Sequence, residues 1–240
     1  MIFILLIFNV FESDLFPAHT LAREKFNPAH LAGGRFELTS FGQENFGLNG
    51  LRILDLTLAI RSAAVELSTF GNEIYRENRL ELGFGCAAGA MLAAGAEIGI
   101  LNCRIPGYAN CFGYRLKLGG LGRTGPFSYG AWLNNINRPR FNETDRLPLG
   151  YGIDLRYALS ERLIPYFSVL GAEGMIPFVK FGFDLDPASP VRLTAGISSD
   201  PVQVEYGVRF RFRAFNFLYS GSTHSRLGLT HGLGIQFTAP

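Results

Sequence analysis

Apolar and polar residues alternate one by one over much of this sequence, and that period of two constrains the fold more than any other feature. Leu80, Leu82 and Phe84 interleave with Glu81, Gly83 and Gly85. Phe112, Tyr114, Leu116 and Leu118 interleave with Gly113, Arg115, Lys117 and Gly119. The same rhythm runs through Tyr151–Tyr157, Val191–Ile197 and Val202–Phe212. A period of two puts successive side chains on opposite faces of a β-strand, so each segment has one apolar and one polar face.

The same periodicity serves a soluble sandwich, with its apolar face in the core, and a transmembrane barrel, with its apolar face in lipid. Three features favour the barrel. Large aromatics such as Tyr151 and Tyr157 stand near strand ends, where an interfacial girdle lies. The polar faces mix Gly with charges of both signs, whereas a soluble surface is richer in Lys and Glu. Several alternating runs reach the ~9–11 residues that cross a bilayer with tilt.

Composition closes other routes. At 48% hydrophobic residues the chain is too apolar for disorder. Its 29 glycines lack the three-residue period of collagen. A net charge of +2 gives no electrostatic case for nucleic acid. A helical membrane protein needs runs of about 20 apolar residues. Only MIFILLIFNV at 1–10 approaches this, and it stops at Glu12 and Asp14.

The expected fold is therefore all-β: a transmembrane antiparallel up-and-down β-barrel of about 14 strands with a short N-terminal plug-like segment. The strands are expected at 35–41, 51–60, 63–70, 79–86, 90–101, 109–119, 125–134, 147–157, 162–171, 176–185, 190–198, 202–211, 213–221 and 229–238. An even number suits a bacterial barrel with both ends on the periplasmic side. Connections after odd-numbered strands then face outward, among them 41–50, 70–78, 102–110, 137–146 and 220–231. Those after even-numbered strands, such as Arg61-Ser62 and 186–190, are mostly short.

Residues 1–15 read as a leader, with the apolar region of a secretory signal at 1–10. No Lys or Arg precedes it and no small-x-small site follows, so a truncated leader stays open. Residues 16–33 read as the plug-like segment and 34–240 as the outer-membrane barrel. The last run, Thr230 to Phe237, resembles the C-terminal signal of outer-membrane barrels, although Thr238, Ala239 and Pro240 follow the aromatic.

No catalytic, metal or cofactor site stands out. His19, His30, His224 and His231 lack the spacing of a convergent ligand set. No Ser-His-Asp grouping or GxSxG elbow is visible, and no glycine-rich strand-to-helix unit. The reading is a non-enzyme without cofactors. Cys103 and Cys111 flank an expected outer loop and would bridge if the strands bring them close; small apolar side chains are the alternative.

Alternation places Asp55, Glu66, Glu81, Glu97, Asp154, Asp184 and Glu205 inside the barrel. It places Arg115, Lys117, Arg156, Lys180, Arg192, Arg209 and Arg211 there as well. Charges in a confined lumen are costly unless paired, so cross-strand pairing is expected. The set reads as a structural network that fills the barrel, or as a polar path for a solute. A selective ion pore would show a ring of one sign.

Several segments, in order, resemble the PorV/PorQ-like outer-membrane proteins, relatives of the FadL-type barrels. NPAHLA at 27–32 is similar to the family's NPAGLA, with His30 in place of Gly. FGQENFGL at 41–48 and FGNEIYRE at 70–77 resemble its first two outer loops. NRPR (137–140), RLP (146–148) and GSTHSRLGLTHGLGIQF (221–237) resemble later landmarks. The ALGGA-like segment expected before NPAG is replaced by FPAHTLAREKF at 16–26, which puts a gating plug in doubt.

The resemblance implies a bacterial outer-membrane location with lipid around the barrel, and two functions. One is a PorV-like platform holding secretion or surface proteins, with a plugged, charge-filled lumen. Its contacts would include Gln43, Phe46, Glu73, Tyr75 and Arg76 of the first two outer loops, whose alternative is ordinary loop structure. The other is a FadL-like transporter of a hydrophobic small molecule, with an apolar pocket near the plug and a lateral opening between strands.

Overall fold

The computed structural model describes residues 27–48, 50–107, 110–140, 146–188, 190–199, 202–224 and 227–239. The leader and most of the plug-like segment, residues 1–26, lie outside the described residues.

Fourteen antiparallel strands close on themselves. They are β1 (Arg35–Glu44), β2 (Arg52–Arg61), β3 (Ala63–Gly71), β4 (Arg76–Ala87), β5 (Leu92–Arg104), β6 (Cys111–Thr124) and β7 (Phe127–Asn134). There follow β8 (Gly150–Tyr157), β9 (Leu163–Ala172), β10 (Phe178–Ala188), β11 (Val191–Ser199), β12 (Val202–Phe212), β13 (Phe215–His224) and β14 (Gly228–Thr238). Each strand pairs with its sequence neighbours. β1 then closes the ring on β14, from Glu37 opposite Thr238 to Glu44 opposite His231. Closure leaves no sheet edge exposed, which lets β-structure cross a bilayer.

The outside is apolar and the inside polar. Leu54, Leu82, Phe84, Ile100, Phe112, Ile153, Phe181 and Val204 are all exposed on the outer face. Buried residues include Thr39, Thr57, Ser68, Glu81, Arg115, Lys117, Lys180, Asp184, Glu205 and Asn216. A water-soluble protein leaves no apolar belt of this extent uncovered, while a bilayer requires one. The molecule is a transmembrane barrel of the outer-membrane type.

The outer connections expected at 41–50, 70–78 and 220–231 are shorter than the sequence suggests. β1 runs on to Glu44, β4 starts at Arg76 and β13 reaches His224, leaving 45–51, 72–75 and 225–227 between strands. These strand ends are polar and lose the alternation contrast, yet their backbone ladders continue: Gln43 sits opposite both Ile53 and Gly232. Residues 120–124, read as part of a turn, belong to β6. The longest connection, 135–149, joins β7 to β8 at the end opposite the chain termini. At the terminal end the turns shrink to Ser62 alone and to Arg213-Ala214. The three longest connections, 45–51, 105–110 and 135–149, all lie opposite the termini and mark that end as the outer one, although the outer connection at 200–201 is shorter than the periplasmic one at 158–162.

Candidate functional site: a three-tiered lumen

Asn27 opens a short 3-10 helix, Pro28–Gly33, that lies inside the barrel wall against β4, β5 and β6. Its side-chain oxygen accepts from the Ala29 amide at 3.1 Å, and Pro28 fits the first helical turn because it needs no donor there. Gly34, at φ 66°, ends the helix in the left-handed conformation. The Asn27 amide group donates to the carbonyls of Gly120 (2.8 Å) and Ala131 (3.1 Å), anchoring the segment at the β6–β7 seam. The wall makes room by lacking side chains. A Cβ on Gly95 would stand 2.2 Å from the Pro28 carbonyl carbon, and one on Gly119 would stand 2.0 Å from the Asn27 side-chain oxygen. The NPAHLA segment therefore lies in a glycine-lined seat.

Beneath this segment, at the periplasmic end, lies a cavity of about 1280 Å³. Its lining combines apolar residues, such as Leu31, Ala32, Met91 and Leu92, with Glu37, Glu66, Arg209, Arg211 and Arg213. A pocket near the plug exists, but it is mixed rather than apolar.

The middle tier is a belt of paired charge. The Arg115 Nε donates to Glu81, and its guanidinium lies 4.0 Å from Glu97. Lys117 donates to Glu97 at 2.8 Å. Glu66 sits opposite Glu81 across β3–β4, and Asp55 opposite Ser68 across β2–β3. On the far wall Lys180 donates to Glu205, and Asp184 accepts from Thr194 at 2.7 Å with Arg156 4.0 Å away. Asp154 accepts from Ser168 at 2.5 Å. Arg192 forks onto Asp186 at 2.6 and 2.7 Å near the periplasmic rim. Arg211 donates to Asn216 at 3.3 Å, and Arg209 shares its face of β12.

The strand registers thus set the charged residues that alternation assigned to the interior on the lumen face, in several local groups. Arg79, which donates to Ser68 at 2.9 Å, and Asp186 belong with them. Both follow from the same alternation, since Arg79 is two residues before Glu81 and Asp186 two after Asp184.

The outer tier holds an apolar cluster. Leu101, Trp132, Leu147, Leu170, Ala172 and Phe178 form one buried cluster, with Met175 packed against it. Five of the six come from β5, β7, β9 and β10; Leu147 comes from the β7–β8 connection. That connection is tied back by Asn135, which donates to the Pro148 carbonyl at 3.1 Å, and by the Leu147 amide, which donates to Pro139 at 2.9 Å. Nothing in the periodicity marks Leu147, because a loop residue turned into a lumen carries no repeat.

Of the five rim residues expected in outer loops, two lie in strands. Gln43 is in β1, beside Asn45, and Arg76 begins β4, because both ladders extend past the expected turns. Phe46 lies in the β1–β2 loop with φ 57° and packs edge-on against His224 at 5.8 Å. Glu73 is exposed in the β3–β4 turn. Tyr75 is half-buried there, edge-on to Phe70 at 6.5 Å, with its hydroxyl donating to Glu77. Cys103 and Cys111 face each other directly across β5–β6. Among the described residues, no group of three His, Cys, Asp or Glu gathers to hold a metal ion.

Comparison with solved structures fits this architecture. The Pseudomonas putida toluene transporter TodX matches with a TM-score of 0.59 at 13% identity, over 91% of this chain and 93% of that one. A deltaS2S3 mutant of TodX, a monoaromatic hydrocarbon channel, gives 0.64 at 12% identity over 92% and 94%. The chain has the fold of FadL-type outer-membrane channels. A Pseudomonas aeruginosa FadL homologue gives 0.57 at 11% identity, over 94% of each chain. These neighbours are channels and transporters rather than enzymes. No protein-family model matches the chain, and no curated protein matches it in sequence.

Proposed function

We propose that this protein is an outer-membrane channel for hydrophobic small molecules, closed at rest by its own lumen contents. The observation that carries this reading is the packed apolar cluster of Leu101, Trp132, Leu147, Leu170 and Phe178. It lies at the outer end, where a solute arrives, beyond the belt of paired charge. Binding sites for small apolar ligands are concave and lined by such side chains. The toluene transporter and the hydrocarbon channel with the same fold support a solute of this class.

A straight path inward meets the charge belt, where buried ion pairs exclude an apolar solute. The strand pairing of the wall is incomplete beside this cluster. β7 stops at Asn134, opposite Lys117, while β6 runs on to Cys111. Among the described residues, loop groups cover that flank: the Ile136 amide donates to Leu116 at 3.1 Å, and the Asn137 side chain bonds Leu116 and Tyr114. This flank is the place for a sideways route between strands. In this reading the belt of Glu81, Arg115, Glu97 and Lys117 is a structural stopper.

The platform reading drawn from the PorV/PorQ resemblance needs a protein-binding outer rim. Its contacts Gln43 and Arg76 lie in strands. The longest outer connection turns Leu147 into the lumen. The transport reading is therefore preferred. Its test is flux: proteoliposomes carrying the refolded barrel should take up a monoaromatic hydrocarbon or fatty acid faster than empty ones, with saturation. Equal rates with a folded barrel would refute it.

A further inference from the structure

We infer that Cys103 and Cys111 form a disulfide that staples the outer end of the β5–β6 hairpin in the mature protein. The two residues are direct partners in the antiparallel register, the outermost pair of that ladder, with the connection 105–110 between them. Partners of this kind have Cα atoms about 4.5–5.5 Å apart. A disulfide takes Cα separations of roughly 4.4–6.8 Å, so the bond closes without moving the strands apart. Both side chains are half-exposed on one face, within reach of an oxidant. Cys86 stands at the other end of β4–β5, opposite Ala94 and on the outward face, and reaches neither.

The location gives the bond a purpose. On its other flank, β6 is paired with β7 only from Lys117 onward, so the segment Cys111–Leu116 has β5 as its strand neighbour. A covalent link at the tip holds this part of the wall in register.

The space beyond the inner membrane is oxidising. The chemistry is thiol–disulfide exchange with a periplasmic thiol oxidase in its disulfide form. The two cysteine thiols lose two protons and two electrons, and one S–S bond forms. The oxidase disulfide accepts them and becomes a dithiol.

The test uses protein extracted from outer membranes, unfolded with an alkylating agent and no reductant, then digested with trypsin. Cleavage after Arg79, Arg104 and Arg115 yields the peptides 80–104 and 105–115. The expected result is that these two remain joined until a reductant is added, with Cys86 alkylated. The Cys111→Ser variant should lose the link, expose two alkylatable thiols and keep its heat-modifiable mobility. Alkylation of all three cysteines in the native protein, or a link that runs through Cys86, would overturn the proposal.

Discussion

Replacing Gly95 with alanine should unseat the N-terminal segment without opening the barrel. The added Cβ would lie 2.2 Å from the Pro28 carbonyl carbon and 2.3 Å from the Ala29 nitrogen, where ordinary contact is 3.4–4 Å. The neighbouring atoms are backbone of a helix tied at both ends, so they cannot rotate away. The segment must lift by more than 1 Å, beyond what the 2.8 and 3.1 Å hydrogen bonds from Asn27 tolerate. Overpacking of this kind costs about 1–3 kcal/mol. Losing two hydrogen bonds adds roughly 1–3 kcal/mol. With each ~1.4 kcal/mol worth a factor of ten, the ratio of seated to unseated segment should fall by roughly 25-fold at least and by up to about four orders of magnitude. An Ala29→Cys probe in a background without the native cysteines reads this out, because Ala29 is 1% exposed in the seat. Its maleimide labelling should be slow on the parent and at least several times faster with Gly95→Ala. Equal labelling rates in two heat-modifiable barrels would refute the glycine-seat argument.

Three further substitutions probe the other parts of the lumen and wall. Arg115→Met leaves the Glu81 carboxylate buried without its partner, both being 3% or less exposed, and should cost about 3–5 kcal/mol in urea unfolding from lipid; the paired change with Glu81→Gln should recover much of that. Phe181→Arg puts a charge on the lipid face in the middle of β10, where Phe181 is 57% exposed, and should cost roughly 2–4 kcal/mol in the same assay. Leu147→Ser removes the loop's contribution to the outer apolar cluster and should raise single-channel conductance in planar bilayers; unchanged conductance would show that Leu147 does not close the outer end.

The wall was far more legible in the sequence than the contents of the lumen. Alternation at Leu80–Gly85 or Val202–Phe212 is a local signal, dictated by two faces in different solvents, and it set all fourteen strands close to their observed positions. The same signal sufficed to put Asp55, Arg115 and Lys180 on the inner face. It faded at Gln43, Arg76 and Ser222–His224, where strands rise out of the apolar zone and both faces become polar. The outer cluster was invisible because Trp132, Leu170 and Phe178 share the inner face with polar residues such as Ser128, Ser168 and Lys180 and are joined by Leu147, a long-range contact. NPAHLA was recognisable as a motif. Its seat was not, because the glycines that form it lie on three different strands.

The most direct test of a hydrophobic-solute channel uses Trp132, the single tryptophan of the chain and a member of the outer apolar cluster. Titrating the folded barrel in detergent with toluene, and separately with a long-chain fatty acid, while recording tryptophan emission asks whether that cluster opens to take up an apolar solute. The account predicts a saturable change in intensity and wavelength for at least one of the two, diminished in the Leu170→Ser variant. Emission that stays constant up to the solubility limit of both ligands, from a barrel of proven fold, would contradict it.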